Sequence, residues 1–82
     1  MTNQEILDKL TNIFREVFND DSILLSPSLN AKDIHGWDSL AHIRIVITAE
    51  SYFGIKFSSI EVSSWCTIAD VISSISKHLL DE

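Results

Sequence analysis

Apolar residues recur at three- and four-residue spacing through most of this sequence, with only two Gly and one Pro to interrupt it. That rhythm predicts helices, each with one apolar stripe that has to be buried against another element. Ile6, Leu10, Ile13 and Val17 set the first stripe, widened by Leu7, Phe14 and Phe18. They predict a helix from about Thr2 to Phe18, opened by the T-x-x-E capping box of Thr2 and Glu5 and stopped by Asn19-Asp20-Asp21. A second helix is expected from Asp38-Ser39 to Phe53, with Gly54 just past its end. Its inward face is read as Leu40, Ile43, Val46 and Ile47, extended by Ile45, Ala49 and Phe53. The β-branched run Ile43 to Thr48 also suits a strand, but strict alternation is missing and the helical spacing fits better. A last helix begins at Thr67, with Asp70 three residues on, and carries Ile68, Val71, Ile72, Ile75 and Leu79. Lys77 and His78 fall near its C-terminal end, where positive charge is favoured.

Between these helices the pattern is weaker. Residues 19–38 hold Pro27, Gly36 and many small polar side chains, so they read as a connection. A loop that long in a small domain needs anchors, and Ile23, Leu24, Leu25, Leu29, Ile34 and Trp37 supply them; one short helical turn is allowed for. Ile55-Lys56-Phe57 reads as extended, and Ser59 to Ser64 as one or two turns with Ile60 facing inward. The expectation is a single all-α domain over residues 1–82: a small four-helix bundle of three main helices and one short one.

At 82 residues the chain has little room for a deep catalytic cleft. Its 12 Asp and Glu against 6 Lys and Arg give a net charge of −6. No basic patch is available for phosphate backbones, which argues against nucleic acid; an acidic chain suits electrostatically steered protein encounters. One cysteine, Cys66, allows no intrachain disulfide and fits a reducing compartment. It is expected to be buried or half-buried. The N-terminus has no basic stretch followed by an apolar run, and no segment has the length of a membrane span. A soluble, cytoplasmic, monomeric protein with no membrane insertion is the expectation.

The informative segment is Asp33-Ile34-His35-Gly36-Trp37-Asp38-Ser39-Leu40. It opens an apolar helix with a polar pair directly after a glycine-containing loop. Ser39 there would sit on the surface at a helix N-terminus, where unpaired N–H groups and the helix dipole favour an anion. Asp38 would cap the helix.

Asp38-Ser39-Leu40 resembles the D-S-L attachment motif of acyl carrier proteins. Gly36 stands at the family's usual distance before it. Phe53-Gly54-Ile55 resembles the family's F-G-I end of helix II, and Thr67-Ile68-Ala69-Asp70 its T-x-x-D start of the last helix. The motif alone is weak; the three together span nearly the whole chain. The resemblance implies a carrier and no enzyme. It implies 4′-phosphopantetheine, derived from coenzyme A, on Ser39, with acyl intermediates held as thioesters on the arm. Its implied partners are a phosphopantetheinyl transferase and acyl-loading and acyl-processing enzymes. Trp37, Asp38, Leu40, Ile43, Arg44 and Ile60 are the recognition residues implied around the arm.

The second helix departs from fatty-acid synthase carriers, whose helix II is markedly acidic. Between Leu40 and Phe57 the formal charges are Arg44, Glu50 and Lys56. The run Gly36 to Ile43 looks more like discrete carriers of specialised polyketide-like, lipid or polysaccharide-modifying pathways. A peptidyl or aminoacyl carrier is an alternative, although Trp37 breaks the Gly pair usual there. A non-catalytic helical interaction module is a second alternative. A hydrolase built on Asp38, Ser39 and His42 would need an oriented base and an oxyanion site, which one exposed turn does not offer. His35, His42 and His78 match no usual metal-ligand spacing. Trp37 and Trp65 read as core or rim packing, and Ser73, Ser74 and Ser76 as a solvated face.

Overall fold

The computed structural model describes residues 1–34 and 36–80. Helix α1 spans Asn3–Phe18, α2 Ser39–Phe53, α3 Ser59–Ser64 and α4 Ile68–Leu80; a single 3-10 turn, Ala31–Asp33, lies in the long connection. The described residues form no strand, and Asn30 and Thr67 make one isolated antiparallel bridge.

Local chemistry explains the boundaries. The Thr2 hydroxyl accepts from Glu5 N–H and the Glu5 carboxylate from Thr2 N–H, closing the predicted capping box. Asp38 caps α2 through Ala41 N–H, 2.9 Å away. Gly54 ends α2 at φ +68°, a left-handed conformation that glycine adopts without steric cost, and its N–H reaches Glu50 O at 2.9 Å. Ser58 and Glu61 form a capping box for α3, an S-x-x-E signal present in the sequence. Asp70 accepts from the N–H groups of Cys66 and Thr67 at 2.9 and 3.1 Å, so Thr67 stands just before α4 and Ile68 begins it.

The core lies where α1 meets α4 and α2. Ile6, Leu10, Ile13 and Phe14 pack with Ile68, Val71, Ile72 and Ile75, joined by Ile45, Ala49 and Ile55. The long connection is held by its backbone as well as by its side chains. The carbonyls of Pro27 and Leu29 accept from Ala69 and Ile68 N–H at 2.9 and 2.8 Å. They satisfy donors that the first turn of α4 would otherwise leave without partners. Arg15 Nε adds a bond to Ile23 O at 2.8 Å. Ile23, Leu25, Leu29, Ile34 and Trp37 pack on the core as anchors.

Four expectations are corrected. Leu24 is exposed rather than anchoring. Helix α2 is rotated from the expected face: Ile45 and Ala49 are buried as read, joined by Ala41, and Val46 and Phe53 are half-buried, while Leu40, Ile43 and Ile47 are 66%, 55% and 60% exposed. Its sequence is apolar on most sides, so spacing alone does not choose a face; two small alanines at i, i+4 spacing around Ile45 let the helix approach the core. Ile60 is 81% exposed rather than inward, on a helix with no buried residue. Cys66 is exposed, in the short link between α3 and α4.

Candidate functional site

Ser39 is the first residue of α2 and is exposed, as its position predicted. Gly36 enters this turn at φ +88°. The Asp38 N–H then bonds Gly36 O at 2.9 Å, closing a tight turn around Trp37. The Asp38 side chain is committed to Ala41 N–H, which leaves Ser39 outside the cap it follows. Trp37, Asp38, Ser39, His42 and Ile43 line an open depression of about 460 Å³. His35 lies outside the described residues.

The turn is braced by aromatic side chains. Trp37 sets its ring edge-on against buried Phe14, centroids 5.2 Å apart. Its Nε1–H donates to His42 Nδ1 at 3.2 Å, and the two rings stack at 5.9 Å with planes 22° apart. With Nδ1 accepting from Trp37, the His42 ring carries its proton on Nε2, so that nitrogen does not offer the lone pair a hydrolase's base needs. Trp65 packs edge-on against His42 and Phe57, and its Nε1–H donates to Ser74 Oγ at 2.9 Å. Both tryptophans are half-buried rim residues, as read, but Ser74 is a hydrogen-bond partner rather than simply solvated.

A second groove of about 440 Å³ runs between α2 and α3, lined by His42, Ile43, Val46, Ile47, Phe57 and Val62 with Ser58, Ser59 and Ser63. Its α3 wall is tied to α4 by His78 Nε2, which lies 2.9 and 3.0 Å from the two Glu61 carboxylate oxygens. Burial pushes the Glu61 carboxyl up, but the Ser58 N–H, His78 and the Ser58 hydroxyl together outweigh it and hold the group below the ordinary carboxylate range. Spacing could not reveal this pair, because its members are 17 residues apart. On α2, Glu50 is also engaged: its Oε2 accepts from Phe57 N–H at 2.9 Å. Arg44 is exposed beside Leu40, Ile43 and Ile47 and makes no ion pair among the described residues.

Among the described residues no three His, Cys, Asp or Glu side chains gather as a metal site. No described helix is long and apolar enough to cross a membrane.

No family model matches the chain. It is 30% identical over 78 residues to an acyl carrier protein of Thermotoga maritima, covering 95% of this chain and 96% of that one. It is 31% identical over 74 residues to an acyl carrier protein of Myxococcus xanthus, covering 90% and 94%. The fold matches the solution NMR structure of a holo acyl carrier protein from Geobacter metallireducens with a TM-score of 0.86 and 40% identity, over 92% of this chain and 86% of that one. Likeness that runs almost end to end in sequence and again in the whole fold leaves one assignment: the chain belongs to the acyl carrier protein family.

Proposed function

We propose that Ser39 is the attachment point of a 4′-phosphopantetheine arm and that the 82-residue chain works as one carrier domain. The observation that carries this is the exposed Ser39 hydroxyl at the start of α2, beside an aspartate whose own carboxylate is already used as the cap. The residues fit the group. The N–H groups of Ser39 and Leu40 have no intrahelical acceptors, as at any helix start, and the helix dipole favours a phosphate there. The open depression around Ser39 leaves room for an arm to depart into solvent. When attached, the arm supplies a terminal thiol on which acyl groups ride as thioesters.

The chain's own part is presentation. Asp38 fixes the helix start, Trp37 and the loop hold the turn, and Ser39 offers its oxygen to a phosphopantetheinyl transferase. Tethering then raises the effective concentration of cargo at each docked enzyme. Leu40, Ile43, Arg44 and Ile60 form the face that acyl-loading and acyl-processing enzymes read, together with Trp37 and Asp38. That face is apolar, and its one uncommitted charge on α2 is positive, because Glu50 is bound to Phe57 N–H. A basic partner surface, such as acidic carriers of fatty-acid synthesis attract, finds little to grip here. This favours enzymes of a specialised polyketide-like, lipid or polysaccharide-modifying pathway.

Intact mass spectrometry after incubation with coenzyme A and a broad-specificity phosphopantetheinyl transferase tests attachment. One added arm on the wild type and none on Ser39→Ala is expected. A wild-type chain left unmodified by several such transferases overturns the reading. The loaded mass of the protein from its native host tests the pathway; an ordinary saturated fatty-acyl chain would count against it.

A further inference from the structure

We propose that Trp37 and His42 form a proton-sensitive staple that positions Ser39, with His42 as the positioning residue. In chain order Trp37 immediately precedes the N-cap Asp38, and His42 is the fourth residue of α2. These are the two places where a side-chain contact fixes the angle at which a chain enters a helix. The usual contact there is apolar. Here it is a stacked ring pair with a hydrogen bond, Trp37 Nε1 to His42 Nδ1 at 3.2 Å.

The bond dictates the protonation state. An indole N–H only donates, so His42 Nδ1 accepts and the ring is neutral, with its proton on Nε2. A doubly protonated imidazole has no acceptor left. Proton uptake therefore turns Trp37 Nε1–H and His42 Nδ1–H against each other and opens the staple. Ser39 falls between the two in the chain and shares one depression with both, and His42 also lines the α2–α3 groove. Trp37 is seated on Phe14 in the core. Released from His42, the turn keeps that seat and the Asp38 cap but loses the contact that sets where Ser39 stands.

The surroundings of His42 can be named element by element. The loop presents Trp37, the α3–α4 link presents Trp65, and Phe57 and Ser58 face it across the groove. None of these four is charged. On its own helix turn the charged group is Asp38, whose carboxylate bonds Ala41 N–H.

The effect on Ser39 rests on the carrier reading above; the staple itself does not, and the test keeps them apart. Two-dimensional NMR of ¹⁵N-labelled full-length chain follows both indole N–H groups. Trp65 is the internal comparison: it packs edge-on against His42 and feels the same charge, but its acceptor is the Ser74 hydroxyl, which does not titrate. Across an acid titration the Trp37 indole signal should move, and its exchange with water should slow less than that of the Trp65 indole. The Trp65 N–H should keep its hydrogen bond to Ser74 throughout.

His42→Phe keeps the ring and removes the acceptor; His42→Asn keeps a non-titrating acceptor. His42→Phe should lower kcat/KM for arm addition by about three- to tenfold, the size of one net hydrogen bond. His42→Asn should recover most of that loss, and its Trp37 indole should show no pH response. A Trp37 indole whose exchange with water slows as much as that of Trp65, or one whose response persists in His42→Asn, overturns the staple whether or not any arm is added. A pH-responsive Trp37 indole with equal transfer to wild type and His42→Phe overturns its positioning role. A wild type that accepts no arm overturns the carrier reading and leaves the indole measurement to decide the staple.

Discussion

Helices α1 and α4 bury their large apolar side chains, Ile6, Leu10, Ile13 and Phe14 against Ile68, Val71, Ile72 and Ile75. Helix α2 buries two alanines and Ile45 and turns Leu40, Ile43 and Ile47 to solvent, and α3 buries nothing and exposes Ile60. Both halves draw on the same residue types, so hydrophobic content does not separate them. What differs is where the apolar surface is spent. The α1–α4 half uses it for cohesion. The α2–α3 half leaves Leu40, Ile43, Ile47 and Ile60 uncovered, and Ile43 lines the depression that holds Ser39.

The comparison can be broken most sharply in the core. Phe14→Ala should cost about 3–5 kcal/mol in denaturant unfolding, near the whole stability of a small domain. Ile43→Ala, an apolar truncation on the open face, should stay within about 0.5 kcal/mol. Similar losses at the two sites would erase the distinction drawn here. Within α2 the contrast is finer: Ile45→Ala should cost about 2–4 kcal/mol and Ile47→Ala little, although two positions separate them. A costly Ile47→Ala would mean that α2 is rotated from the orientation described.

Capping comes next in size. Asp38→Ala should lose about 1 kcal/mol and slow arm addition, because the same turn carries Ser39. Unchanged transfer would separate the cap from the site.

Acid sensitivity sharpens the picture from another side. Asp70 is held below the usual carboxylate range by the N–H groups of Cys66 and Thr67, and Glu5 by the N–H and then the hydroxyl of Thr2. A carboxylate lowered in the folded state contributes stability above its unfolded value, about 4. That contribution is lost as pH falls through the lower folded value. The melting temperature should therefore drop below about pH 4, and Asp70→Asn should flatten the drop. An Asp70→Asn curve parallel to wild type would show that the α4 cap is not a source of acid lability.

The smallest structural effect is expected at Arg44. Arg44→Glu should leave stability within about 0.5 kcal/mol while slowing acyl transfer by the native partner enzyme. No change in transfer would move docking off this part of α2.

The helices, their caps and the place of Ser39 were legible in the sequence because each depends on residues a few positions apart. The Thr2–Glu5 box, the Asp38 cap and the Gly54 stop are i, i+3 chemistry or a single φ angle. So is the stripe of α4, where Ile68, Val71, Ile72 and Ile75 are all buried. Tertiary structure decided what periodicity leaves open. It selected the Ala41–Ile45–Ala49 face of a helix that is apolar nearly all round. It left Ile60 outside, on a helix with no buried residue that Glu61 ties to His78. It also brought Trp37 onto Phe14 and Trp65 onto His42, and set the Pro27 and Leu29 carbonyls on the first turn of α4. Such contacts join residues far apart in the chain. They form only when packing closes the loops between them, and no local pattern encodes which partners will meet.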